Sequence, residues 1–155
     1  MTVTSAALTA AILAVREELL ASGQYPTLAH INRGYCDGFC SDVADHLGIP
    51  AGAEEPFELG IDNLMESDGD EPTIMDRALL EAHWPDIQPP EGLDWDDVDR
   101  LAADAGFSSG THVWLCLDKR HYDAEAPEGV GNPFDLPFFK RVVASWLEEC
   151  PAPAP

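Results

Sequence analysis

Apolar positions recur at helical spacing at the start of the chain, where Leu8, Ile12, Val15 and Leu19 fall on one face. The spacing predicts a helix over 4–22, capped by Thr4 or Ser5 and stopped at Gly23. Residues 24–35, which contain Tyr25-Pro26, read as a connector. A second helix is predicted over 36–47, ended by Gly48 and Pro50. Patterning weakens over 51–92. There, 58–65 fits a short strand or a loop, a short helix covers 73–84, and acidic or Pro/Gly-rich loops surround them. A helix over 93–105 follows, capped by Asp94 and closed by Gly106. Asp96 and Asp97 sit in its first turn, where negative charge meets the positive end of the backbone dipole.

The period then changes from 3.6 to two. Segments 111–117 and 120–124 alternate as strands, with Asp118-Lys119 as a tight turn between them. A two-residue turn pairs Leu117 with Arg120, Trp114 with Asp123 and His112 with Glu125. His112, Trp114 and Asp123 then share one sheet face, with His112 and Asp123 as diagonal neighbours about 7–8 Å apart at the backbone. Asp135-Leu136-Pro137 opens a last helix to 149, with Phe139, Val142, Val143 and Trp146 as its apolar stripe. Residues 151–155 form a Pro/Ala tail. No internal repeat is present. The expectation is one α+β domain over 1–150, with helices packed on a small antiparallel sheet.

Charge adds a constraint. Asp and Glu number 29 against 8 Lys and Arg, for a net charge of −21, and Lys119 and Lys140 are the only lysines. Such a surface repels phosphate backbones and anionic membranes, so neither nucleic acid nor membrane is expected as a partner. Abundant acid with almost no lysine resembles the composition of haloarchaeal proteins and of the viruses that infect haloarchaea. An ordinary acidic bacterial protein and a mimic of DNA charge are the other readings. The apolar stretch 6–15 lacks a preceding basic residue and is broken by Arg16-Glu17-Glu18, which marks an amphipathic helix rather than a signal peptide or span. A cytoplasmic or virion location is expected.

Four cysteines (Cys36, Cys40, Cys116, Cys150) are too few for a disulfide scaffold at this length, and Cys36 and Cys40 are too close along one helix to bridge. Reduced thiols are the simpler reading. Cys36 opens a predicted helix, where aligned backbone dipoles lower a thiol's pKa and first-turn N–H groups can hold a developing oxyanion. His112 on one strand and Asp123 on the next can supply a base and its orienting carboxylate. Cys40, Cys116 and Cys150 read as small packing residues. Zinc at Cys36, Cys40, His46 and a hairpin histidine lacks paired-ligand spacing, and the acidic loop 66–71 lacks calcium-loop spacing. No metal or cofactor is therefore expected.

Cys36-x-x-Phe39 and Ala44, with Cys40 where a small residue is expected, followed by a His-led strand and then Tyr122-Asp123 on the next strand, resembles the papain-like thiol hydrolase superfamily. The likeness is to its compact branch of transglutaminase-like and NlpC/P60-like domains, and it covers 32–47 and 110–129. The resemblance implies a helix bearing the nucleophile, packed on an antiparallel sheet that supplies His and then Asp. It implies that Cys36 is the nucleophile, His112 the base and later acid, and Asp123 the orienting group of an amide or isopeptide hydrolase or acyl transferase. Such an enzyme takes a peptide or protein substrate. A non-catalytic papain-like structural or interaction protein, with an assembly partner such as a virus particle, is the alternative. Members of the superfamily place a polar side chain ahead of the cysteine for the oxyanion, and Asn32 and His30 are the candidates here.

Overall fold

The computed structural model describes residues 2–50, 58–65, 71–74, 76–105 and 112–149. In chain order it contains helices α1 (Ser5–Ala21), α2 (Leu28–Gly34) and α3 (Cys36–His46), strand β1 (Gly60–Leu64), and helices α4 (Arg77–His83) and α5 (Trp95–Ala105). Strands β2 (His112–Leu117), β3 (Arg120–Asp123) and β4 (Ala126–Val130) follow, then a 3-10 turn at Pro133–Asp135 and helix α6 (Pro137–Glu149). The class is α+β, as the sequence indicates. The chain divides into two compact units, Met1–Asp62 with His112–Gly131, and Asn63–Thr111 with Asn132–Pro155.

The first unit carries the candidate chemistry. Its sheet has strand order β1-β2-β3-β4, with β2–β3 and β3–β4 antiparallel. Leu117 pairs with Arg120, Cys116 with His121 and Leu115 with Tyr122, so Asp118-Lys119 is the predicted two-residue turn. The ladder does not continue to His112–Glu125. After Asp123 the chain turns through Ala124 and Glu125, and Ala126 pairs back onto Asp123 as β4 begins. Pro127 and Gly129 hide this strand from propensity, since both residues are poor strand formers. Gly129 has a φ of 78°, and a Cβ there would collide with the Tyr122 ring, so only glycine lets β4 lie over that buried tyrosine.

Helices α1 and α3 bury Leu8, Ala11, Ile12 and Val15, and Phe39, Cys40, Val43 and Ala44, in one cluster with Leu115, Leu117, Tyr122 and Ala124. Leu19 is partly buried against the same cluster. Within the span read as a connector, α2 forms, capped by the Thr27 hydroxyl, which accepts from the His30 N–H. Seven residues including Asn and Gly are too short and too polar for periodicity to reveal. Ile31 and Asn32 are its buried positions.

In the second unit, α4 is shorter than the predicted 73–84 because Asp76 caps it, accepting from the Leu79 N–H. Asp94 and Asp97 exchange reciprocal bonds at the start of α5, each carboxylate accepting the other's backbone N–H, at 2.8 and 3.0 Å. The buried stripe of α6 is Phe138, Phe139, Val143 and Trp146, with Val142 only half-buried. Phe139 packs edge-on against both Phe138 and Phe134. Cys150, the loop residues 66–70 and the tail lie outside the described residues. No described helix is long and apolar enough to cross a membrane.

The β2–β3 turn carries a measurable strain. Asp118 and Lys119 have φ of 51° and 64°, the left-handed conformation of a type I′ turn, which favours Asn or Asp followed by Gly. A left-handed lysine costs about 1–2 kcal/mol, part of which glycine's extra unfolded-state entropy cancels. Lys119→Gly is therefore expected to raise stability by about 0.5–1 kcal/mol in urea unfolding, and a loss of stability would contradict the turn assignment.

Candidate active site

Cys36 is placed by two abutting helices. Tyr35 ends α2, its N–H donating to Ile31 O at 2.8 Å, and begins α3, its carbonyl accepting from Phe39 N at 2.7 Å. Cys36 is the first residue of α3, at the positive end of the helix dipole, and no described side chain caps the helix. Gly38 follows within the same turn because the Tyr35 ring lies where any Cβ would project. That ring also packs on Tyr25, 5.3 Å between centroids.

His112 is the first residue of β2 and Asp123 the last of β3. The diagonal relation expected from the turn brings them together: His112 Nε2 lies 3.0 Å from Asp123 Oδ2. Both are essentially excluded from solvent, at 0% and 1% exposure. The second oxygen, Asp123 Oδ1, accepts the backbone N–H groups of Glu125 and Ala126, each at 2.9 Å. The carboxylate thus holds the β3–β4 turn with one oxygen and orients the imidazole with the other. The Trp114 ring flanks His112 at 5.7 Å.

The thiol and the imidazole meet at the ends of their elements. Burial opposes ionisation of Cys36, yet a hydrogen bond to His112, the backbone N–H of Val113, the imidazole charge and the Asp37 N–H together carry its pKa below the ordinary thiol value. Nε2 is held by Asp123, which leaves Nδ1 as the ring nitrogen for the thiol. Burial would lower the pKa of His112, but the hydrogen bond to Asp123, then that to Cys36, raise it above the ordinary histidine value. Opposite shifts in a touching acid–base pair favour thiolate beside imidazolium.

The other cysteine of α3 behaves differently. Cys40 is buried, and burial, then the charges of Cys36, Asp123 and Asp37, push its pKa far up, so it stays a thiol.

The two oxyanion candidates separate. Asn32 is buried at 1% exposure, and its Nδ2 donates to Glu125 Oε2 at 2.8 Å, while Oδ1 has no hydrogen-bond partner among the described residues. This bond ties α2 to the turn that Asp123 organises, which places Asn32 in the same polar group as the triad candidates. His30 is exposed, and its Nδ1 lies 2.7 Å from the Thr27 hydroxyl at the start of α2. His46, named for zinc, is exposed at the last turn of α3.

Three participants were not legible in sequence: the Val113 N–H, the Glu125 carboxylate and the backbone of the 124–126 turn. The first and last are backbone groups and leave no side-chain signature. Glu125 had one available signal, an acid two residues beyond Asp123 at the end of a strand.

No family model matches the chain, and no curated protein or solved structure matches it either. The class the fold and the geometry define is an α+β protein with a cysteine at a helix start beside a buried His–Asp pair.

Proposed function

We propose that this protein is a cysteine-dependent hydrolase or acyl transferase of papain-like arrangement, acting on an amide or isopeptide bond in a peptide or protein. The observation that carries the reading is the chain of contacts from Cys36 to His112 to Asp123, with the thiol's pKa lowered and the imidazole's raised. The Cys36 thiolate attacks the carbonyl carbon, forming the C–S bond as the C=O electron pair moves onto oxygen. First-turn backbone N–H groups of α3 and the Asn32 amide are the donors offered to that oxyanion. His112, as imidazolium, passes its proton to the leaving amine, the C–N bond breaks, and an acyl-thioenzyme remains. Water, or an amine in the transfer reaction, then gives its proton to His112 and attacks the thioester, which returns the thiolate.

The test is covalent capture. An electrophilic acyl or vinyl-sulfone probe is expected to modify Cys36 much faster than Cys40 or Cys116, as read by mass mapping of the labelled peptide. Cys36→Ala is expected to abolish fast capture with the fold intact, because little volume is lost at a helix end. Cys40→Ala is expected to leave the rate unchanged. Equal, slow labelling of all thiols would overturn the enzyme reading and favour a structural or interaction protein, such as a virion component, on the same framework.

A further inference from the structure

A second group of chemistry-bearing side chains lies on the same strands, apart from Cys36. Cys116 of β2 and His121 of β3 are a cross-strand pair, and Asp62 comes from β1, on the other side of β2. Cys116 Sγ is 3.2 Å from His121 Nδ1 and 3.7 Å from Asp62 Oδ2. All three ligand atoms lie within 4.8 Å of one another, the one such convergence of three metal-ligating residues among the described residues. A tetrahedral cation with bonds of about 2.3 Å to sulfur and about 2.0–2.1 Å to nitrogen or oxygen sets its ligand atoms roughly 3.2–3.6 Å apart. The two separations from sulfur, 3.2 and 3.7 Å, bracket that range, and the Asp62–His121 separation, within 4.8 Å, closes as the side chains draw in on a cation.

We propose that Asp62, Cys116 and His121 form a binding site for a borderline-soft divalent cation of the zinc class, with three protein ligands and one open position. A hydrogen-bonded thiol needs one acceptor. Here an imidazole and a carboxylate from two different strands converge on it. A mixed thiolate, imidazole and carboxylate set suits zinc or cobalt over magnesium or calcium, which take oxygen ligands alone. Asp62 and Cys116 are partly exposed and His121 is buried, so two of the three ligands reach solvent.

Binding has two chemical consequences. Burial, then the Asp62 charge, push the Cys116 thiol up to about 12, so the S–H bond breaks only as the metal–sulfur bond forms, and one proton passes to solvent. The Trp114 indole N–H donates to His121 Nδ1 at 2.9 Å. A cation on that nitrogen takes the lone pair, and the indole must turn to another acceptor.

The experiment is titration of the full-length chain with Co²⁺ under reducing conditions, followed by absorption. One equivalent is expected to give a thiolate-to-cobalt charge-transfer band and the strong visible absorption of tetrahedral cobalt, both displaced by Zn²⁺. Cys116→Ser is expected to remove the charge-transfer band. Loss of an outer-shell partner alone costs 10–100-fold in affinity, so Asp62→Asn is expected to weaken binding at least about tenfold. Cys36→Ser, which removes the other partly exposed thiol among the described residues, is expected to leave the cobalt spectrum intact. Absence of the band in the folded wild-type chain overturns the proposal. So does a band that survives Cys116→Ser or disappears in Cys36→Ser.

Discussion

Asp123→Asn is expected to slow acylation of Cys36 by an activated ester by about 10²–10⁴ below pH 7, the upper figure being the cost of the equivalent change in a serine-protease triad. The direction follows from which atoms the carboxylate already serves. Asp123 Oδ1 accepts two backbone N–H groups, from Glu125 and Ala126. An asparagine keeps those bonds only by placing its own oxygen there, which leaves its amide NH₂ pointing at His112 Nε2. Two donors cannot share that position, so Nε2 must become an acceptor and the ring proton moves to Nδ1. That nitrogen is the one left for Cys36, and it can then no longer take the thiol's proton. Because the turn-holding bonds survive, the circular dichroism spectrum is expected to match wild type. A variant acylated within a few-fold of the wild-type rate would show that Asp123 does not set the imidazole tautomer.

The pH dependence of Cys36 alkylation is expected to separate the folded site from an ordinary thiol, with the folded site reacting faster on the acid side of the ordinary thiol value. The wild-type rate rises with pH and levels off below the usual thiol value, because the pKa of Cys36 is lowered. Each unit of lowering multiplies the thiolate fraction tenfold in acid, while intrinsic nucleophilicity falls about threefold. His112→Gln retains a donor for Asp123 but carries no charge. Burial, which opposes the thiolate, remains, so the midpoint of the profile is expected to move up toward or beyond the ordinary value. Linkage gives the matching stability signs. The raised pKa of His112 contributes stability that is whole below about pH 6.5 and lost as pH rises through the folded value. The lowered pKa of Cys36 contributes stability that is present above the unfolded thiol value and lost as pH falls through the folded value. Superimposable alkylation profiles for wild type and His112→Gln would remove the imidazole from the activation of Cys36.

Helices α1, α3, α5 and α6 and the β2–β3 hairpin were legible because each carries a long apolar period or a capping residue of its own. Leu8, Ile12 and Val15 announce α1, the Asp94–Asp97 box announces α5, and Asp118-Lys119 sets the register of the hairpin. Two short elements, α2 and β4, were not legible, whereas the seven-residue α4 lies within the predicted 73–84. α2 has seven residues and two buried positions, too few for periodicity, and β4 contains Pro127 and Gly129. Those two elements matter for the site, since α2 carries Asn32 and the turn into β4 supplies the N–H groups that hold Asp123.

What the sequence determined by itself is local: the class of the fold, the helix boundary that exposes Cys36, and the strand register that makes His112 and Asp123 neighbours. Each of these depends on interactions a few residues apart, or on a two-residue turn that leaves one pairing. What only the tertiary structure decided is nonlocal. The approach of Cys36 to His112 spans 76 positions of chain, and no local pattern encodes it. It results from α3 burying Phe39, Cys40, Val43 and Ala44 in the same cluster as Leu115, Leu117 and Tyr122. The same packing sets the ionisation of each thiol. Cys36 and Cys40 lie one turn apart on one helix, and their pKa values move in opposite directions. Cys36 has charged and backbone donors that outweigh its partial burial, whereas for Cys40 burial dominates and the neighbouring negative charges reinforce it.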